Sequence, residues 1–185
     1  MEEKIVYFET PGEDNTETVL TLVRERAQAR NIKKIVLAST RGHTARAAAR
    51  AFEGTDLKMV VVPWAHGAVK EHPFPAELKA ELEGKGHQVH FSTMLFHTGE
   101  LYGTQTPTIM ANLLRIFCQG FKVAVEILMM ACDGGCVAGK EKAIVVTGTA
   151  RGADTALVAT AAPSLRWTKL RVHEIICKPL LEGGE

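Results

Sequence analysis

The stretch that most constrains this chain runs from Ile35 to Phe52, Ile-Val-Leu-Ala-Ser-Thr-Arg-Gly-His-Thr-Ala-Arg-Ala-Ala-Ala-Arg-Ala-Phe. Its first four residues form an apolar run of the kind found in strands buried on both faces, and its last eight form an alanine-rich helical segment. The six between them hold three hydroxyls and one glycine. The order is strand, tight loop, helix start. The first turn of a helix has unpaired backbone N–H groups and the positive end of the helix dipole, so it is suited to an anion. Ser39, Thr40 and Thr44 supply hydroxyls, Gly42 lets the backbone approach a ligand closely, Arg41 adds charge, and His43 completes the loop. A helix capped by Thr40 or Thr44 after an ordinary glycine turn accounts for the same residues. The loop matches neither the Walker pattern nor G-x-G-x-x-G, and both readings stay open on these residues alone.

A second loop of similar character closes the segment from Ala143 to Thr155, Ala-Ile-Val-Val-Thr-Gly-Thr-Ala-Arg-Gly-Ala-Asp-Thr. Gly148 and Gly152 permit close approach, Arg151 is an anion partner, and Thr149, Asp154 and Thr155 offer polar contacts. A strand-connecting turn with a surface arginine is the alternative. Taken in order, the two motifs resemble the pyruvate kinase C-terminal domain. Ser-Thr-Arg-Gly-His-Thr-Ala-Arg is similar to its Thr-x-Ser-Gly-x-Thr-Ala loop, which holds an effector phosphate, and the second segment is similar to its Val-Val-Thr-Gly strand and glycine-bearing effector loop. The chain looks most like small stand-alone archaeal and bacterial relatives of that domain. This likeness covers nearly the whole chain, including Pro11 to Thr16, Lys122 to Ile127 and Glu174 to Cys177.

The resemblance implies a three-layer α/β/α sandwich with a mostly parallel sheet and an antiparallel strand near the C-terminus. It places the Lys34 and Lys142 strands side by side where the winding reverses, the usual ligand position in an open α/β sheet. The loops 39–44 and 148–155 would face each other there. It also implies FMN as cofactor, because relatives of the stand-alone type bind it. The chain lacks the Trp-Arg-Pro segment that follows Thr-Gly in pyruvate kinase, a departure that bears on the sugar bisphosphate effector.

A length of 185 residues with 46% hydrophobic content suits one domain around one core. The net charge of +1 leaves no electrostatic footprint for nucleic acid or an anionic membrane, so a small molecule or another protein is the expected partner, and the two loops with the resemblance make that small molecule a phosphorylated ligand. The first ten residues are acidic around a four-residue apolar run, unlike a signal peptide, and no run approaches the roughly 20 residues of a membrane span. A cytoplasmic location is expected. No pyruvate kinase activity is expected either, since that catalysis uses a barrel of roughly 250 residues. Cys118, Cys132, Cys136 and Cys177 read as reduced thiols in apolar surroundings, without the paired spacing of a metal site.

Along the chain, periodicity predicts strands at Ile5–Phe8, Lys34–Ser39, Leu57–Pro63, His87–Ser92, Lys142–Thr147 and Leu170–Cys177. Helices are expected from a cap at Asp14 or Asn15 to about Arg30, over His43–Phe52 and Pro75–Gly84, and from about Pro107 to Cys132 with a loosening at Gly120. Composition leaves Thr155 to Ala162 between helix and strand, and the resemblance implies a strand. Long loops span Trp64–Pro75 and Thr93–Gln105. The apolar character of Pro107–Cys132 exceeds what one sheet face needs and points to a buried helix or a homo-oligomer contact.

His66, His72 and His97 lie in different loops without catalytic spacing. Glu126 is a carboxylate within an apolar helical run, so it needs a backbone, arginine or ligand partner. Trp64, Phe96 and Tyr102 lie in apolar loops and are expected to cover a flat ring. The reading that results is an FMN-binding protein, with a flavin-dependent oxidoreductase as its enzymatic extension. The Ser39–Thr44 loop would hold the phosphate with help from Gly148–Thr155. The competing reading is a non-enzymatic sensor of a phosphorylated metabolite. Substrate and catalytic residues stay open.

Overall fold

The computed structural model describes residues 2–68 and 73–180. His72 and part of the Trp64–Pro75 loop lie outside the described residues. The strands are β1 (Val6–Phe8), β2 (Lys34–Ala38), β3 (Lys58–Val62), β4 (Gln88–Val89), β5 (Lys142–Thr147), β6 (Thr155–Thr160) and β7 (Arg171–Pro179). The helices are α1 (Thr16–Arg30), α2 (His43–Ala51), α3 (Ala76–Gly84), α4 (Gly99–Tyr102), α5 (Thr106–Arg115) and α6 (Gln119–Asp133).

The sheet runs β1-β7-β6-β5-β2-β3-β4. β2 and β5 are adjacent and parallel, with Ile35, Val36 and Leu37 opposite Ile144, Val145 and Val146. Among the described strands β6 alone runs against the rest, pairing antiparallel with β5 and β7. From β2 the chain winds outward through β3 to β4, then returns to β5 and winds the other way. The β2/β5 seam is therefore a switch point.

Alternate residues of each central strand fill opposite faces, the period-two rule of a pleated strand. Ile35, Leu37, Ile144 and Val146 face α1, α2 and α3, whereas Val36, Val60 and Val145 face α6. This gives the expected three layers. A third cluster joins Phe96, Ala111 and Met129, sealing α5 against α6. Cys177 is buried in the first core, where burial pushes its thiol up to about 12.

Several local expectations need correction. Asn15 stands at the N-cap of α1, yet its side chain makes no cap bond and donates instead to the carbonyls of Thr10 and Gly12. The chain breaks between α5 and α6 at residues 116–118, where the Cys118 sulfur accepts from the Phe121 N–H, and not at Gly120. Gly120 lies inside α6 because a Cβ there would meet the Thr155 hydroxyl at 2.2 Å. The strand expected over His87–Ser92 pairs only at Gln88 and Val89, with one further bond from His90 N to Val61 O. Thr93–Gln105 contains a 3-10 turn at Leu95–His97 and the short helix α4.

Candidate ligand cleft between two glycine loops

The first loop turns on two side chains. Ser39 Oγ accepts from the Ala45 N–H at 3.1 Å, so the serine, and not Thr40 or Thr44, caps the start of α2. Gly42 has a φ of +86°, and a Cβ at this position would meet Leu78 Cδ2 at 2.6 Å. Both the left-handed conformation and the packing require glycine. Ser39 and Thr44 are buried, whereas Arg41 and His43 are exposed.

The second loop is built around Asp154, which is fully buried. Its Oδ2 accepts from Thr149 N at 2.9 Å and Gly12 N at 3.1 Å, and its Oδ1 accepts from the Thr155 hydroxyl at 2.7 Å. The Ala153 N–H donates to Thr16 Oγ1 at 3.0 Å. This loop is thus tied to the turn that precedes α1. Arg151 extends outward and pairs with Glu13 at 2.7 Å.

Between the loops opens a cleft of about 1000 Å³, at the top of the range typical of ligand pockets. Of the residues expected to bind ligand, Ser39, Thr40, Arg41, His43, Thr44, Gly148, Arg151 and Gly152 line it. Gly42 and Thr149 shape their loops without lining the cleft. Asp154 and Thr155 hold the second loop from behind, their polar groups spent on the protein's own donors and acceptors.

The far wall belongs to α6 and the ends of β2 and β3, with Val62, Met94, Val123, Ile127 and Met130 as its apolar lining. Trp64 borders the cleft, but two other aromatic expectations fail. Phe96 is buried in the α5/α6 cluster, and the exposed Tyr102 lies away from the lining. Residues that sequence reasoning missed are Arg46 and Arg50 on α2 and Lys122 on α6, all of which line the cleft. Their signal was i,i+4 spacing, Arg46 to Arg50 and Lys122 to Glu126, which puts both members of each pair on one helix face. Five fixed cations then line the cleft against one carboxylate, Glu126, among the described residues. Arginines line the cleft beside the first loop and along α2, and apolar side chains line it beyond them.

Fold and cleft together define an α/β sandwich with an arginine-lined cleft at its switch point. No family model matches the chain. Among solved structures it is similar to a pyruvate kinase from Cryptosporidium parvum, with 15% identity over 79% of this chain and a TM-score of 0.44. A second structure, the Cryptosporidium parvum pyruvate kinase in complex with ADP, matches at 15% identity over 79% of this chain with a TM-score of 0.43. The chain spans 22% and 23% of the length of those two proteins. No helix among the described residues is long and apolar enough to cross a membrane.

Proposed function

We propose that the cleft binds a phosphorylated small molecule and that FMN is this ligand. One observation carries the proposal: a basic loop at a helix N-terminus and an apolar wall share a single cleft large enough for a flat ring with a phosphate tail. The residues fit such a ligand. Thr40 and Thr44 offer hydroxyls and Arg41 offers a charge to the phosphate, while Trp64, Met94, Val123 and Ile127 offer surface to the ring. Bound FMN would supply hydride and single-electron transfer, making a flavin-dependent oxidoreductase the enzymatic form of the proposal. The alternative is a sensor of a phosphorylated metabolite, favoured by the surplus of arginines over what one phosphate needs.

The test is the visible absorbance of the purified protein together with the mass of any ligand released on denaturation. A flavin spectrum and the mass of FMN support the proposal. A colourless protein that releases another phosphorylated compound replaces FMN with the sensor reading.

We also propose that the chain associates with itself through α5. Ile109 and Leu113 lie one turn apart on α5 and are 64% and 63% exposed, and Ile116 and Phe117 in the turn that follows are 76% and 49% exposed. Leu101 and Tyr102 of the neighbouring α4 are exposed as well, enlarging an apolar surface of the kind that marks interaction sites.

A further inference from the structure

The two glycine loops leave unused one ion pair that lines the same cleft. Lys122 and Glu126 stand one turn apart on α6, each 2% exposed, and both line the cleft. Lys122 Nζ donates to Glu126 Oε2 at 2.6 Å. Glu126 Oε1 accepts from Phe96 N at 2.8 Å and lies 3.4 Å from His97 Nδ1. The ammonium also sits 5.4 Å from the centroid of the Phe96 ring.

Stability does not explain this pair. Withdrawing two charges from water is costly, and an apolar pair of similar volume often serves a core as well or better. Lysine preceding glutamate at i,i+4 is also the weaker order for a helix. The neighbouring Ala124, Ile127 and Leu128 already supply α6 with core contacts. The donor count points the same way. An ammonium has three N–H donors; one is given to Glu126, one can face the Phe96 ring, and no described residue accepts the third.

We infer that Lys122 is a ligand-binding residue, donating its remaining hydrogen bond to an acceptor oxygen at the end of the ligand remote from the phosphate. Glu126 and His97 are positioning residues: the carboxylate fixes the ammonium, and the imidazole and the Phe96 N–H fix the carboxylate. The ligand class is then a molecule with a phosphate at one end and a carbonyl or carboxylate oxygen at the other. The carbonyl edge of a flavin ring is such an acceptor. The inference rests on the proposal that the 39–44 loop receives the phosphate.

Removing Lys122 alone would leave Glu126 buried and unpaired, so the test uses the double variant Lys122→Met/Glu126→Gln, with Lys122→Arg as the charge-conserving control. FMN, riboflavin and inorganic phosphate are titrated by calorimetry, and the flavins also by visible absorbance. The double variant should lose roughly ten- to a hundredfold in affinity for both flavins, the cost of one charge-assisted hydrogen bond. It should hold inorganic phosphate as the wild type does, and it should lose the band shift that the flavin shows in the wild-type cleft. Lys122→Arg should recover part of the affinity. Unchanged flavin binding in the double variant overturns the inference and leaves the flavin proposal standing. Parallel loss of inorganic phosphate also overturns it, making the pair structural. A wild-type protein that takes up phosphate but neither flavin overturns both proposals.

Discussion

Arg151 Nη2 lies 3.3 Å from His43 Nδ1, so side chains 108 residues apart in the chain meet across the cleft. Arginine can only donate, which makes His43 Nδ1 the acceptor and turns the protonated Nε2 toward Glu13, 3.8 Å away. The two glycine loops therefore form one polar rim over the β2/β5 seam.

Thr44→Ala and Arg41→Ala should each weaken FMN by about ten- to a hundredfold, since each deletes a charge-assisted bond of roughly 1.5–3 kcal/mol. Riboflavin has the same ring without the phosphate, so its affinity should barely change. Calorimetric titration of both ligands checks this. Equal losses for the two would mean that the loop only starts a helix.

Asp154→Ala should destabilise the protein by roughly 2–4 kcal/mol, because it strips a buried acceptor from the Gly12 and Thr149 N–H groups and from the Thr155 hydroxyl. FMN binding should fall as well, although Asp154 does not line the cleft, because the second loop loses its internal support. Urea unfolding measures the first effect and titration of the folded variant the second.

Acid should act through Glu174. Its hydrogen bond to Arg30, aided by Arg26, holds its carboxyl below the usual carboxylate range. A carboxylate with a lowered folded value stabilises the fold above its unfolded value of about 4.3, and this contribution fades as pH falls toward the folded value. Glu174→Gln should therefore cost on the order of 1 kcal/mol at neutral pH, given partial solvent screening. It should also show a shallower loss of stability than the wild type below about pH 4. Denaturant midpoints measured from pH 7 to pH 3 decide the matter.

The α5 surface predicts a homo-oligomer at micromolar concentration, which the double variant Leu113→Glu/Ile116→Glu should convert to monomers of unchanged fold. Light scattering coupled to gel filtration reads both species. A monomeric wild type would remove the proposal.

Much of the fold was legible because β2, β3 and β5 are apolar on both faces, a signal that survives without structure. The β2/β5 adjacency needed the resemblance, since periodicity is silent on strand order. β4 came out shorter than its pattern because it pairs with β3 alone and forms ladder bonds on one side only. Gly120 was misread because a glycine in a helix looks the same in sequence whether it breaks the helix or makes room for Thr155. Loop residues divided along the same line. Arg151 and Asp154 are three residues apart, yet one points to the cleft and the other is consumed inside, a difference of side-chain direction that composition does not encode. Lys122 was hidden by its apolar neighbours, which read as core.

The tie between the second loop and the turn before α1 has a consequence for how the site comes into being. Glu13 and Thr16 steady Arg151 and Ala153, so the rim needs residues from both early and late in the chain. During synthesis the 39–44 loop emerges long before its counterpart at 148–155. Capture of the proposed ligand would follow the making of β5 and its loop, and its binding free energy would stabilise the finished fold as a whole, not its early parts.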